Sequence, residues 1–157
     1  MIFNEIEAFV FDFDGVLTNN LVYIGQDSKE SVACSRADGL AFDVLRKLKK
    51  PSYILSTEKN SVVSMRANKL NITAIQGISD KVKGIRQIAK EKKLNLKNIL
   101  YVGNDLNDYH VMKICGYTAC PSDSHKKIKS ISDIVLELKG GEGIVRELLE
   151  DVFDLDF

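Results

Sequence analysis

The sequence predicts a doubly wound α/β fold, in which a mostly parallel sheet is covered by helices on both faces. Short, continuous apolar runs alternate along the chain with segments whose apolar residues recur every three or four positions. Continuous runs are typical of strands buried on both faces, and the alternation is typical of parallel strands joined by helices. The 157 residues, of which 45% are hydrophobic and 28% charged, fit one domain spanning residues 1–157. They leave no room for a large second domain.

The first predicted strand runs from Ala8 to Phe11 and stops abruptly at Asp12-Phe13-Asp14-Gly15. The other predicted strands are residues 53–55, 73–75, 99–102, 117–120 and 134–136. The apolar stripes predict helices at 40–48, 62–70, 82–89, 109–113 and 144–149.

Polar residues and glycines mark the ends of some of these helices. Asp38 is the predicted N-cap of the first helix, and Ser79-Asp80 precedes the third. Gly116 is the predicted C-terminal cap of the fourth helix.

One stretch interrupts the alternation of strands and helices. Residues 21–24 and 29–35 flank the turn sequence Gly25-Gln26-Asp27-Ser28, which is typical of a β-hairpin. This hairpin, at about 20–35, directly follows the first aspartates. We therefore expect it to project beside them as a small flap.

Charge and composition argue against several classes of protein. The 22 Lys and Arg residues balance 22 Asp and Glu residues, so no nucleic-acid or membrane partner is indicated. The N-terminus lacks the features of a signal peptide, and no apolar run is long enough to span a bilayer. Cys34, Cys115 and Cys120 have no metal-type spacing, which favours reduced thiols in a cytoplasmic protein.

The polar residues that could carry chemistry follow predicted strands. Asp12 and Asp14 follow the first strand, residues 56–58 the second, and residues 103–108 the strand at 99–102. Ligands of open α/β sheets bind at the carboxyl ends of strands, and clustered carboxylates there suit Mg²⁺. The Asp-x-Asp-Gly sequence alone is equally typical of a structural turn. Gly-Asn-Asp alone is more typical of a turn, and Lys81 alone is more typical of a surface lysine. Their combination and order predict an active site.

These sequences resemble the four motifs of the haloacid dehalogenase superfamily of phosphatases. Residues 11–18 resemble the first motif, Ser56 the second, Lys81 the third, and residues 103–108 the fourth. The resemblance covers nearly the whole chain. It implies a Rossmann-like fold, with Asp12 as nucleophile, Asp14 as general acid and base, and Ser56 and Lys81 binding the transferring phosphoryl group. The implied Mg²⁺ site contains Asp12, Asp14, Asn104, Asp105 and Asp108.

The fourth motif differs from the commonest family pattern, which has an aspartate where Asn104 stands. A neutral amide leaves the metal site with one negative charge fewer. Asp105 and Asp108 would then hold the metal or its waters and orient Lys81.

The small hairpin and the missing cap domain resemble the capless subgroup of this superfamily. That subgroup includes phosphatases for 3-deoxy-D-manno-octulosonate 8-phosphate and for nine-carbon sialic-type 9-phosphates, and the C-terminal domain of some acylneuraminate cytidylyltransferases. Gln76-Gly77, Asp80-Lys81 and residues 140–143 with Arg146 match it. The resemblance implies a homotetramer built through the hairpins, in which a neighbouring subunit helps cover each active site.

The residues after Ser56 bear on the substrate. Eight-carbon phosphatases tend to have Thr-Gly-Arg here, whereas this chain has Ser-Thr-Glu-Lys, and Glu58 with Arg66 and Lys69 resembles the nine-carbon phosphatases. Thr57 and Glu58 could contact sugar hydroxyls, and Arg66 could pair with a carboxylate. Arg66 and Lys69 are equally compatible with ordinary cations on a helix surface. The sequence therefore favours a nine-carbon 9-phosphate, with the eight-carbon 8-phosphate as the alternative.

Two other classes of protein compete with this interpretation. A phospho-acceptor signalling domain needs a separate acceptor aspartate on a central strand, and none follows residues 53–55 or 73–75. A non-catalytic oligomerisation module is compatible with Asn104 but does not need Asp12, Asp14 and Lys81 together.

Overall fold

The computed structural model describes residues 2–157 and confirms the α/β prediction. Its eight strands are β1 Ala8–Phe11, β2 Tyr23–Ile24, β3 Glu30–Ser31, β4 Ser52–Leu55, β5 Thr73–Ile75, β6 Ile99–Val102, β7 Tyr117–Cys120 and β8 Ile134–Val135. Six of them form a parallel sheet in the order β5-β4-β1-β6-β7-β8. Strand β1 is therefore central, with β4 and β6 as its neighbours.

The helices are α1 Arg36–Lys47, α2 Val62–Leu70, α3 Lys81–Lys92, α4 Tyr109–Met112, α5 Lys126–Lys129 and α6 Ile144–Glu147. Helix α6 continues into a π-helical turn at Leu148–Val152, and short 3₁₀ turns lie at Ile2–Glu5, Leu96–Asn98 and Leu106–Asp108. Helix α5 was not predicted, because only Ile128 in its four residues is buried. Within residues 2–157, no helix has the length and apolar character needed to cross a membrane.

The core consists of two apolar clusters, one on each face of the sheet. Phe9 and Phe11 of β1 pack in one cluster with residues of α1, α2 and α6. Ala8 and Val10 pack in the other with residues of α3, α4 and α5. This alternation follows from the two-residue period of a strand, and it buries β1 completely.

Two of the predicted helix caps are wrong. Ser35, rather than Asp38, caps α1 by accepting a hydrogen bond from the Ala37 backbone N–H at 3.2 Å. Gly116 has no left-handed backbone; instead, a Cβ there would lie 1.7 Å from the Lys97 carbonyl oxygen, so close packing requires the glycine. The cap of α3 is as predicted, since the Asp80 side chain accepts from the Lys83 N–H.

The hairpin consists of only two paired residues on each strand. Tyr23 lies opposite Ser31 and Ile24 opposite Glu30, and these four residues are exposed. The turn is closed by the Gly25 N–H, which donates to the Lys29 carbonyl at 2.9 Å. The three cysteines are free thiols.

Candidate active site

Four chain segments meet at the carboxyl edge of the sheet. Asp12 follows β1, Ser56 follows β4 and Asn104 follows β6, and these three parallel strands are neighbours in the sheet. Lys81 is the first residue of α3, which begins shortly after β5. The sheet order therefore brings together residues that are far apart in the sequence.

Lys81 is at the centre of the site and is buried between two carboxylates. Its Nζ lies 2.8 Å from Asp12 Oδ1 and 2.7 Å from Asp108 Oδ1, and the three side chains are 1%, 6% and 0% exposed. Burial acts to lower the pKa of Lys81, but Asp12 and Asp108 outweigh it and raise the pKa above its usual value. Lys81 is thus held as a cation at neutral pH.

Asp108 fixes the position of Lys81. Its Oδ1 also accepts a hydrogen bond from the Tyr101 hydroxyl at 2.8 Å. Its Oδ2 accepts from the backbone N–H groups of Asn104 at 2.9 Å and Asp105 at 3.3 Å. With four donors around a fully buried carboxylate, Asp108 orients its neighbours.

Tyr101 was not identified as a site residue from the sequence. A buried tyrosine usually needs a partner for its hydroxyl, so a polar neighbour could have been expected. That the partner is Asp108 depends on the folded chain.

The two carboxylate oxygens of Asp12 have different surroundings, and only Oδ1 contacts Lys81. Its Oδ1 accepts from Lys81 and from the Phe13 N–H at 2.7 Å. Burial, followed by the charge of Asp108, raises the pKa of Asp12 to about 8 against the opposing effect of Lys81. A second cation near Oδ2 would favour the ionised form of this carboxylate, which a nucleophile requires.

A cavity of about 100 Å³ opens beside Asp12. The residues that line it are Asp12, Asp14, Asn20, Thr57, Asn104, Asp105 and Asn107. A second cavity of about 200 Å³ shares Asp14 and Asn20 with the first, and Glu30 of the hairpin and Glu58 also line it. The hairpin therefore borders the space next to the predicted acid.

Asp14 is suited to donate a proton. Its carboxyl group is partly buried, and burial followed by the charge of Glu58 raises its pKa; Lys81 lowers it and Glu30 raises it to a smaller extent. A raised pKa keeps a carboxylic acid protonated closer to neutral pH, as general acid catalysis requires.

The cavity presents hard oxygen donors that fit a magnesium ion. Within residues 2–157, no three His, Cys, Asp or Glu side chains converge to hold a metal ion by themselves. A cation beside Asp12 would thus need backbone, amide or water oxygens as well. Mg²⁺ is commonly held by one or two carboxylates while it keeps several waters, so these residues fit it. Asp108, whose oxygens already accept four hydrogen bonds, is the predicted ligand least available to it.

The glycine-rich segment near the C-terminus supports the loop that carries Asp14. The Gly141 N–H donates to the Val16 carbonyl at 3.0 Å, and the Gly140 N–H donates to Asp123 Oδ1 at 3.0 Å. Within the loop, Thr18 Oγ1 accepts from the N–H groups of Gly15 and Asn20, each at 3.1 Å. The sequence suggested the glycines and placed Thr18 in the first motif without a role of its own, whereas Asp123 was not predicted.

The predicted phosphoryl and substrate residues lie at different distances from the cavity. Ser56 is buried and its Oγ accepts from the Glu58 N–H at 3.1 Å, while Thr57 and Glu58 border the cavities. Arg66 donates to the Ser35 carbonyl at 2.9 Å, and with Lys69 it lines a separate groove between α1 and α2. The structure therefore does not bring Arg66 and Lys69 into the catalytic cavity of their own chain.

Comparison with known protein families agrees with this geometry. Residues 43–148 match the family model of the haloacid dehalogenase-like hydrolases. The chain belongs to this family. The match begins after Asp12 and Asp14, but similar proteins cover that region as well. The resemblance stated from the sequence motifs is confirmed.

Several relatives in the family are named phosphatases. A 3-deoxy-D-manno-octulosonate 8-phosphate phosphatase of Yersinia pestis is 30% identical over 147 residues, covering 93% of this chain and 79% of the relative. A HAD family hydrolase from Streptomyces avermitilis has a structure with TM-score 0.91 and 37% identity, covering 94% of this chain and 84% of its own.

A third similar structure holds ligands. It is a 3-deoxy-D-manno-octulosonate 8-phosphate phosphatase from Moraxella catarrhalis in complex with magnesium, phosphate and KDO, with TM-score 0.91 and 26% identity. It covers 98% of this chain and 90% of its own.

Proposed function

We propose that this chain is a Mg²⁺-dependent phosphatase that hydrolyses a 2-keto-3-deoxy sugar-acid phosphate. The observation that carries the proposal is the Asp12 carboxylate, which is anchored to the buried cation Lys81 beside a cavity lined by Asp14. Relatives with the same fold that are named phosphatases for such a substrate support the class.

The proposed reaction proceeds in two steps. Asp12 Oδ2 attacks phosphorus, the bond from phosphorus to the sugar oxygen breaks, and the Asp14 carboxyl proton passes to that leaving oxygen. Asp14, now ionised, takes a proton from water, whose oxygen attacks the aspartyl-phosphate and releases inorganic phosphate and the Asp12 carboxylate.

The positive charges of the site serve this chemistry. Lys81 and the Ser56 hydroxyl would stabilise the equatorial phosphoryl oxygens. A magnesium ion held by the Asp12 carboxylate, the Asp14 backbone carbonyl and oxygens of Asn104 or Asp105 would offset the repulsion between carboxylate and phosphate dianion. Asp108 would hold Lys81 in place.

Two substrate lengths remain in the proposal, and a different observation supports each. The relatives at 30% identity act on an eight-carbon 8-phosphate by name, which supports that substrate at least as well as the nine-carbon one. Glu58, which borders the cavity shared with Asp14, is the residue that favours the nine-carbon 9-phosphate.

Assembly could complete the substrate site. Leu21, Val22, Tyr23 and Ile24 of the hairpin are 63%, 48%, 59% and 73% exposed, which is unusual for four consecutive apolar residues. We propose that they form the contacts of a homotetramer. Since Arg66 and Lys69 lie outside the catalytic cavity of their own chain, they would reach a substrate carboxylate only across such an interface.

The test is phosphate release with Mg²⁺ from a panel of eight-carbon and nine-carbon 2-keto-3-deoxy sugar phosphates. We expect turnover that is abolished by chelator and by Asp12→Asn, and kept by the control Asp151→Asn, which makes the same change at an exposed position. The phosphate that is hydrolysed with the higher kcat/KM shows whether the substrate has eight or nine carbons. Absence of Asp12-dependent release from every sugar phosphate would favour the non-catalytic oligomerisation module instead.

Subunit mixing tests the composite site. Lys69→Ala should lower activity in a homotetramer, and mixing it with inactive Asp12→Asn should restore part of that loss, because intact residues from both variants then meet at one site. Light scattering measures the assembly state directly. A monomer with full activity would refute the shared site but leave the phosphatase proposal standing.

A further inference from the structure

Asn104 is the residue in which this site departs from the commonest motif, and its backbone is fixed on both sides. Its N–H donates to Asp108 Oδ2 at 2.9 Å, and its carbonyl accepts from the His125 N–H at 2.9 Å. The residue is buried, and a Cβ on Gly15 would lie 2.8 Å from its Cγ, so the side chain fills the space that the glycine leaves. Only the amide can turn without moving the chain.

The side-chain amide of Asn104 lies against two oxygens of the loop that carries Asp12 and Asp14. In the orientation that gives both amide atoms suitable partners, it donates to Asp12 Oδ2 at 3.2 Å and to the Asp14 backbone carbonyl at 3.0 Å. Within residues 2–157, Asp12 Oδ2 has no other hydrogen-bond donor, because Lys81 and Phe13 both bind Oδ1. The amide thus provides the only donor to this oxygen.

These two acceptors are the kind of oxygens that a hard cation prefers. A carboxylate oxygen and a backbone carbonyl that converge on one point are typical ligands for Mg²⁺, and in the hydrogen-bonded orientation of the amide its N–H group occupies that point. An asparagine amide can present either two donors or an acceptor by turning about its last bond, whereas a carboxylate can only accept.

We infer that Asn104 takes the place of the cation in the metal-free protein and turns its oxygen toward the ion when magnesium binds. Compared with an aspartate, the amide then stabilises the metal-free site and lowers its affinity for magnesium. This inference rests on the magnesium site of the proposed function, and it assigns to Asn104 the control of metal affinity.

The substitution Asn104→Asp separates the two states. Without metal, it replaces a donor by a fourth acidic group beside Asp12, Asp14 and Asp108, with Lys81 as the only cation that contacts the cluster within residues 2–157. With metal, it adds an anionic oxygen ligand, and ligand charge is a main determinant of divalent cation affinity. The two effects have opposite signs, which a general loss of structure would not produce.

The experiment measures urea unfolding in chelator and magnesium binding by isothermal titration calorimetry, on the full chain. Asn104→Asp should lower the metal-free midpoint and raise magnesium affinity by about tenfold or more. Asn107→Asp, an exposed residue lining the same cavity, adds the same charge without touching Asp12 and should change both quantities much less. Asn104→Ala, which removes donor and acceptor together, should lower both.

Each contrary result overturns either the role of Asn104 or the proposed metal site. An unchanged or raised metal-free midpoint in Asn104→Asp, or no gain in magnesium affinity, would overturn the inference while leaving the phosphatase proposal intact. Should that variant fail to fold without metal, Asn104→Ala decides, since wild-type magnesium affinity in it would equally overturn the role of Asn104. A wild-type protein that binds no magnesium would overturn the proposed metal site and this inference with it.

Discussion

The substitution Asp108→Asn tests whether Asp108 positions Lys81 or ligates the metal. The carboxylate accepts four hydrogen bonds, two at each oxygen, from Lys81, Tyr101 and two backbone N–H groups. An asparagine has only one acceptor oxygen, so its amide group must face two donors whichever way it turns. Two buried donors then lose their acceptor, and Lys81 loses one of its two charge partners.

The expected cost follows from these losses. An unsatisfied buried donor costs about 1–3 kcal/mol, and removing one partner of a buried ion pair costs about 3–5 kcal/mol. These contributions overlap, so we expect the free energy of unfolding to fall by about 3–5 kcal/mol, a large part of the roughly 5–15 kcal/mol of a typical domain. Tyr101→Phe removes one donor and keeps the carboxylate, and should cost about 1 kcal/mol.

The assay is urea unfolding in chelator, followed by circular dichroism, together with calorimetric magnesium titration of both variants. A positioning role predicts a large loss of stability without metal, together with a lower kcat because Lys81 is displaced. A loss of less than about 1 kcal/mol, combined with at least tenfold weaker magnesium binding, would show that Asp108 is a ligand and refute the argument from its four donors.

Three further predictions test the surroundings of the site. Burial raises the pKa of Asp38 to about 6 in the folded protein, so the unfolded chain loses the Asp38 proton at lower pH than the folded protein does. The free energy of unfolding should therefore fall by up to about 3 kcal/mol as pH rises from about 4 to 6. Asp38→Asn should remove this dependence in urea unfolding measured across that pH range. Glu58→Gln removes a charge that raises the pKa of Asp14, so the alkaline limb of the kcat profile should move to lower pH; an unchanged limb would argue against Asp14 as the acid. Gly140→Ala places a Cβ 1.9 Å from the Gly15 carbonyl oxygen, so it should lower the free energy of unfolding by about 1–3 kcal/mol and lower kcat. The control Gly39→Ala lies in α1 with open space around it. In thermal unfolding it should be neutral or stabilising by up to about 1 kcal/mol.

The sheet and the first site residues could be predicted because their signals are local. Each apolar run that becomes a strand is continuous in the sequence. Asp12 follows its run directly, and Asn104 follows another strong run after one glycine. Parallel connections then place both residues at the same edge of the sheet. Because β1 pairs with both β4 and β6, the carboxyl ends of these three strands are neighbours.

Interactions between distant segments could not be predicted in the same way. Asp38 has the residue type and position of an N-cap, but it lies within α1, and its Oδ1 accepts from the Val145 N–H, 107 residues away. Gly116 has the residue type of a helix cap, yet its role is close contact with Lys97. In both cases the residue type was informative, and the partner depended on tertiary packing.

The placement of Arg66 and Lys69 illustrates a different limit. Their spacing correctly predicts a shared helical face, since both line the groove beside α1. Neither residue lines the cavities that contain Asp14, since the groove that they border lies between α1 and α2. The spacing of two residues can thus predict a shared helical face without showing whether that face lines the catalytic cavity.

The formal charges of the buried groups explain why an amide suits the position of Asn104. Asp12, Asp108 and Lys81 together carry a formal charge of minus one when Asp14 is protonated, leaving aside the exposed Asp105. Adding Mg²⁺ would bring this sum to plus one, or to zero when Asp105 of the cavity lining is counted. An aspartate at position 104 would lower either sum by one, so the amide leaves one negative charge fewer to repel a phosphate dianion. Since electrostatic attraction in a partly buried cavity is much stronger than in water, this single charge bears directly on phosphate binding. At the proposed magnesium site, the amide would therefore weaken the hold on the metal and strengthen the hold of the loaded site on the phosphate.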